Sequence, residues 1–148
     1  MLRGRMQFED QKYSVAMKDF EAALTLSPSR LDVMISFGRS LFEMTRYKEA
    51  EPYFRQVLVR DNLHPEANYF LGRILLREHD SEGAKTHLSR AVQRDTRLFP
   101  DAHRLLGLLY NDQGIRPLAR KELEIFVAIA QKGTPEYEEA KGILDRMR

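Results

Sequence analysis

The sequence has no cysteine. That excludes a disulfide framework, a thiolate metal site and a cysteine nucleophile, and it leaves the redox compartment open. Long apolar runs are missing as well. The longest stretch, Leu123 to Ala130, is interrupted by Glu124 and falls far short of the roughly 18–20 residues a membrane-crossing helix needs. An excess of one charge is also lacking. Lys plus Arg total 24 against 22 Asp plus Glu, a net charge of +2. This balance argues against a general nucleic-acid binder while leaving room for a local basic patch. The opening Met1-Leu2-Arg3-Gly4-Arg5-Met6 is basic with no apolar core behind it, so it does not read as a secretory signal. No compartment follows from the residues. A complete chain of this kind is expected in the cytoplasm, whereas an excised piece fits the periplasm or a membrane-associated assembly. What is present is enough for a core: 148 residues, 43% of them apolar, the size of one domain.

The chain repeats itself. Gly4, Gly38 and Gly72 are 34 residues apart, and Gly107 and Gly142 follow at intervals of 35. Ala16, Ala50 and Ala84 keep the same 34-residue step, with Ala119 35 further on. Four residues beyond each alanine stands a large apolar side chain, Phe20, Phe54, Leu88 or Leu123, and three beyond that Ala23, Val57, Ala91 or Phe126. Ladders that stay in phase over a whole chain mark a stack of repeated supersecondary units.

Each unit reads as two helices. Met34, Phe37, Leu41 and Met44 recur at helical spacing, followed by Ala50, Phe54, Val57 and Leu58. Leu71 and Leu75 precede Ala84, Leu88 and Val92 in the same way, and Leu106, Leu109 and Tyr110 precede Ala119, Leu123 and Val127. No Asn-Gly or Asp-Gly hairpin signal appears. Pro28 can stop a helix, while Pro65, Pro100, Pro117 and Pro135 fall where helices should open, a location proline tolerates. Thr134-Pro135-Glu136 has the form of a helix cap. The additional residue of the third unit belongs in the Asp95–Phe99 connection. The ladder glycines and alanines are read as close-packing positions, since a mid-helix glycine costs about 1 kcal/mol unless an approaching helix compensates.

This pattern resembles the tetratricopeptide repeat. The likeness is carried by Phe37-Gly38, Leu41, Tyr47, Ala50 and Phe54, by Leu71-Gly72, Leu75, Ala84 and Leu88, and by Leu106-Gly107, Tyr110, Ala119 and Leu123. The first unit keeps Gly4, Tyr13, Ala16, Phe20, Ala23 and Pro28. The aromatic that the family shows three residues before its Leu-Gly pair is replaced by Met34, Asn68 and His103. The resemblance implies an all-α, right-handed superhelical solenoid of antiparallel helix pairs. Its units would cover about 1–30, 31–64, 65–99 and 100–134, with a capping helix over 135–148, all in one domain, 1–148. The first unit starts in mid-helix, and Arg3 stands where an apolar residue is expected, which favours a repeat upstream. Ile143 and Leu144 should cover the end of the fourth unit beneath a polar face.

First helices of this family line a concave groove, so the candidate partner-binding residues are Arg39, Phe42, Tyr69, Phe70, Arg73, Arg77, Arg104 and Leu108. The same phase adds Asp32, Ile35, Ser36, Glu43, Glu66, Leu76, Asp101, Leu105, Asn111 and Asp112. The residue after the ladder glycine is Arg5, Arg39 and Arg73 in successive units, and Leu108 in the fourth. Arginines among aromatics are enriched at binding hot spots, and a guanidinium can hold a carboxylate bidentately. The alternative is intramolecular pairing with Asp32, Glu66 or Asp101. Of the adjacent Tyr69 and Phe70, one should be core. The lysine and asparagine set of the family's carboxylate clamp is absent, so binding of chaperone tails is not expected.

No catalytic, metal or cofactor residues are assigned. His64, His79, His87 and His103 lack metal-ligand spacing, with His64 and His79 in turns and His103 at a packing position. The glycines are single, so no phosphate-cradling loop exists. The expected function is a non-catalytic interaction module, scaffold or adaptor whose partner is a peptide, a helix or a folded protein of acidic or mixed acidic and apolar character. Two alternatives stand beside it: a self-associating or spacer segment of a larger protein, and a nucleic-acid-contacting solenoid, which the balanced charge disfavours.

Overall fold

A computed structural model describes the backbone of residues 2–27 and 30–148, and the side chains of these except residues 2–11 and 13. Expectations placed on the side chains of Arg3, Arg5 and Tyr13, on the packing of Gly4 and on Pro28 lie outside the described residues. Among those described there are eight helices and no strand: α1 (Leu2–Leu26), α2 (Leu31–Glu43), α3 (Tyr47–Arg60), α4 (Pro65–Arg77), α5 (Ser81–Gln93), α6 (Pro100–Asp112), α7 (Arg116–Ile129) and α8 (Pro135–Arg146). The fold is an all-α helical repeat solenoid. None of these helices is long and apolar enough to cross a membrane.

Proline opens α4, α6 and α8 and lies in the first turn of α7, where its missing N–H has no intrahelical partner to lose. The Thr134 hydroxyl accepts from the Tyr137 amide at 3.3 Å, His64 Nδ1 from the Ala67 amide at 3.3 Å and the Asp80 carboxylate from the Gly83 amide at 2.9 Å. The turns inside the three later pairs are built alike. Thr45 N–H donates to Phe42 O at 2.9 Å and Arg46 N–H to Leu41 O at 2.9 Å, with Thr45 at φ 60°. His79 and Asp80 repeat these bonds with His79 at φ 62°, as do Gly114 and Ile115 with Gly114 at φ 74°. This is the Schellman ending of a helix, whose left-handed residue is ordinarily glycine. Thr45 is β-branched and pays a steric penalty there. Thr45→Gly is therefore expected to raise the stability of its pair by about 0.5–1 kcal/mol after glycine's own entropy cost, read as a higher urea midpoint.

The first unit departs from this scheme. Its expected two helices are one, α1, running through Gln11, which stands 34 residues before Thr45 where the turn should fall. Gln11 and Lys12 are good helix formers and bring no turn chemistry. The longer Arg94–Phe99 connection does hold the additional residue of the third unit.

The chain divides into two compact units, each larger than a single repeat: a first compact unit, Met1–Asn62, and a second, Leu63–Arg148. The division falls between helix pairs, where a stack of repeats has its sparsest contacts. In the first unit the core is Phe37, Leu41, Ala50, Phe54 and Val57. Phe37 meets Phe20 of α1 edge-on at 6.2 Å and Tyr53 at 4.6 Å.

In the second unit Leu71, Ile74, Ala84, Leu88 and Ala91 are buried. A further cluster joins Ala119, Leu123 and Phe126 of α7 to Ala140, Ile143 and Met147 at the C-terminal end, so α8 covers α7 as expected. The small ladder residues are close-approach points. A Cβ on Gly72 would lie 2.8 Å from Leu88, and one on Gly107 2.6 Å from Leu123. Gly142 differs, because a Cβ there would meet only Arg146 Nη1, at 3.6 Å.

Candidate functional site

The first helices of the repeats, α2, α4 and α6, carry the candidate residues. In the first unit Arg39 is exposed on α2. Phe42, placed by sequence phase on the exposed face, is instead core: it is 5% exposed and packs edge-on against Tyr47 at 5.0 Å. Ile35 is buried as well. Asp32 pairs with Arg30, and the hydrogen bond from that guanidinium holds its carboxyl below the usual range.

In the second unit α4 presents Tyr69 and Arg73, while Arg77 is exposed at its end. Phe70 is the core member of the Tyr69–Phe70 pair, at 6% exposure. Tyr69 is half-buried. Its ring stacks on Phe99 at 4.7 Å and 19° between planes, the Arg73 guanidinium lies 5.3 Å from its centroid, and its hydroxyl donates to Asp101 Oδ2 at 3.1 Å. Asp101 Oδ1 accepts from Arg104 Nε at 2.7 Å, and Arg104 Nη1 donates to Glu139 Oε2 of α8 at 3.0 Å. Burial alone would lower the Arg104 pKa, but the two carboxylates outweigh it and raise it. Arg104 is thus compensated within the chain, by Asp101 of its own helix and Glu139 of α8, where pairing with Asp101 was expected between neighbouring helices. Leu108 is also corrected: it is half-buried and packs against the cluster around Leu123 and Ile143 rather than standing open.

Burial, reinforced by the charge of Asp101, pushes the Tyr69 phenol up to about 12. The ordinary value is 10.0, so the neutral phenol is favoured in the folded state. Its stabilising contribution is complete below pH 10 and is lost as pH rises from 10 towards 12. An ultraviolet phenolate titration is expected to show a late-ionising tyrosine that Tyr69→Phe removes.

The structure brings Tyr69, Arg73 and Arg104 together and adds two residues that the sequence reading did not place at the site. Phe99 precedes the helix-opening Pro100, and Glu139 stands 35 residues after Arg104, one repeat later on the next first helix. The ladder phase could have found Glu139. The remaining histidines are structural. His103 and Asn68 are buried at 2% and 0% exposure. His103 Nδ1 meets Glu122 Oε2 at 2.7 Å and Nε2 meets Thr96 O at 3.1 Å, while His87 Nδ1 donates to Asn68 Oδ1 at 2.8 Å.

A tetratricopeptide repeat family model matches residues 41–109. Residues 41–109 belong to the tetratricopeptide repeat family. No curated protein matches the chain significantly. Solved tetratricopeptide-type structures extend the likeness of fold beyond that segment. MamA is 22% identical with a TM-score of 0.74, covering 97% of this chain and 87% of its own. The type III secretion translocator chaperone SycD of Yersinia enterocolitica is 16% identical with a TM-score of 0.67, covering 82% and 85%. YrrB, described as a tetratricopeptide repeat protein with an unusual peptide-binding site, is 23% identical with a TM-score of 0.70, covering 94% and 71%.

Proposed function

We propose that this chain is a non-catalytic interaction module that takes a peptide, a helix or a folded partner on its first-helix faces. Arg39 serves in the first unit, and Tyr69, Arg73 and Arg77 in the second. The observation that carries this reading is the Arg73 guanidinium held over the Tyr69 ring, beside an open cleft and the anchored Arg104. A cation already fixed in place loses little further freedom when a partner carboxylate arrives, so more of the contact energy appears as affinity. Two neighbours in fold support the class of function. YrrB has a peptide-binding site, and SycD has been seen with a peptide of the translocator YopD.

The test is a pull-down from source-cell lysate at controlled salt, after nuclease treatment, comparing wild type with Arg39→Glu/Arg73→Glu. Circular dichroism first establishes that the two are equally helical. A protein retained by wild type and lost by the variant is the expected result. Identical retained sets would remove these faces as the binding surface.

A further inference from the structure

The second unit carries two open clefts that meet at one ridge. The first, about 280 Å3, is lined by Arg73, Leu76, Arg77, Asp101, Arg104 and Leu105. The second, about 520 Å3, adds Pro100, Phe126, Ile129, Ala130 and Thr134 from the facing ends of α6, α7 and α8. Arg73, Asp101 and Arg104 line both.

The two clefts differ in chemistry. Arg73, Arg77 and Arg104 line the first together with one carboxylate, Asp101, so its lining residues carry a formal positive excess. Asp101 already accepts from Tyr69 and Arg104. The second cleft has an apolar floor of Phe126, Ile129 and Pro100, with Glu136 at its rim. A polyanion would gain nothing from that floor and would be repelled at the rim. A single carboxylate next to an apolar side chain is matched at both places.

We propose that this double cleft reads a short extended peptide carrying a large apolar side chain and, within a few residues of it, an Asp or Glu. The apolar side chain fills the cleft over Phe126 and Ile129, and the carboxylate sits between Arg73 and Arg77. The peptide backbone crosses the ridge made by Asp101 and Arg104, which Glu139 and Tyr69 hold in place. This rests on the reading of the first-helix faces as the binding surface, and it adds which end of the motif goes where.

The experiment is selection of a random displayed peptide library on the full chain, followed by titration of the enriched peptide. The titrations use wild type, Arg73→Ala/Arg77→Ala and Ile129→Lys, each checked for helicity. The expected result is a consensus pairing an apolar with an acidic residue, whose affinity falls about tenfold or more in either variant. Replacing the acidic residue of the peptide by alanine should cost wild type a similar factor and the arginine variant almost nothing. A basic or uncharged consensus, or a peptide bound equally by both variants, overturns this proposal while leaving a peptide-binding module standing. Failure to enrich any consensus overturns it too. The general reading then depends on the pull-down alone.

Discussion

Replacing Gly107 by alanine is expected to destabilise the second unit by about 1–3 kcal/mol, the usual cost of forcing a methyl into a filled core, although alanine is the better helix former. The added Cβ would stand 2.6 Å from two carbons of the Leu123 side chain and 3.3 Å from the Ala119 carbonyl oxygen. Leu123 is fully buried and cannot swing away. Shortening it should reverse the sign. Leu123→Ala alone is expected to cost about 2–5 kcal/mol through the cavity it leaves. In that background Gly107→Ala should become stabilising, because the methyl enters vacated space and the helix-propensity gain of about 1 kcal/mol is recovered. Gly142→Ala is the control. It should be stabilising in the wild-type background, where its Cβ meets only the far end of Arg146. Urea unfolding followed by circular dichroism, on the four members of the cycle and the control, reads all of these. Equal effects of Gly107→Ala with and without Leu123 would show that the close approach is not what the glycine serves.

That contrast shows what the sequence could and could not convey. The period was legible because one-to-one contacts, glycine on a first helix against Phe54, Leu88 or Leu123 on a second, demand small and large residues at fixed intervals. Gly142 keeps the period without the contact, since α8 has no paired second helix among the described residues. Spacing alone cannot separate the two cases. The exposed face of the first helices is narrower than the sequence phase predicts. Ile35, Phe42 and Phe70 are core, because a helix inside a stack is covered over a broader arc than the single stripe a surface helix buries. Within α4 alone Phe70, Leu71, Ile74 and Leu75 are all buried. The continuity of α1 was illegible for another reason. The other turns depend on a left-handed residue that is threonine, histidine or glycine, so no residue type announces the turn and none announces its absence at Gln11. At the site, the pairing of Arg104 with Asp101 on the same helix face could be read from spacing. The stacking of Tyr69 on Phe99 could not, since it depends on the path of a connection.

The polar replacements in the core lead to the second large effect. His103 and Glu122 occupy the positions that Met34 and Tyr53 fill two repeats earlier, 69 residues before each. Both ring nitrogens of His103 face acceptors, and the Glu122 carboxylate is largely withdrawn from water, at 14% side-chain exposure. Glu122→Ala should therefore cost about 1–3 kcal/mol, the penalty for leaving a buried polar group without its partner. The double change His103→Met/Glu122→Tyr should recover most of that loss, because a buried polar pair exchanged whole for packed apolar groups is often neutral or better. The Thr96 carbonyl, deprived of its donor, belongs to an exposed residue that water can reach. What the double variant should not recover is the anchoring of the Arg94–Phe99 connection, whose amides are expected to exchange hydrogen faster than in wild type. Since Phe99 is the ring on which Tyr69 stacks, the looser connection should also bring the late-ionising tyrosine back towards its ordinary value. A double variant as unstable as Glu122→Ala would show that the polar pair is required by its surroundings rather than by its own unmet bonds.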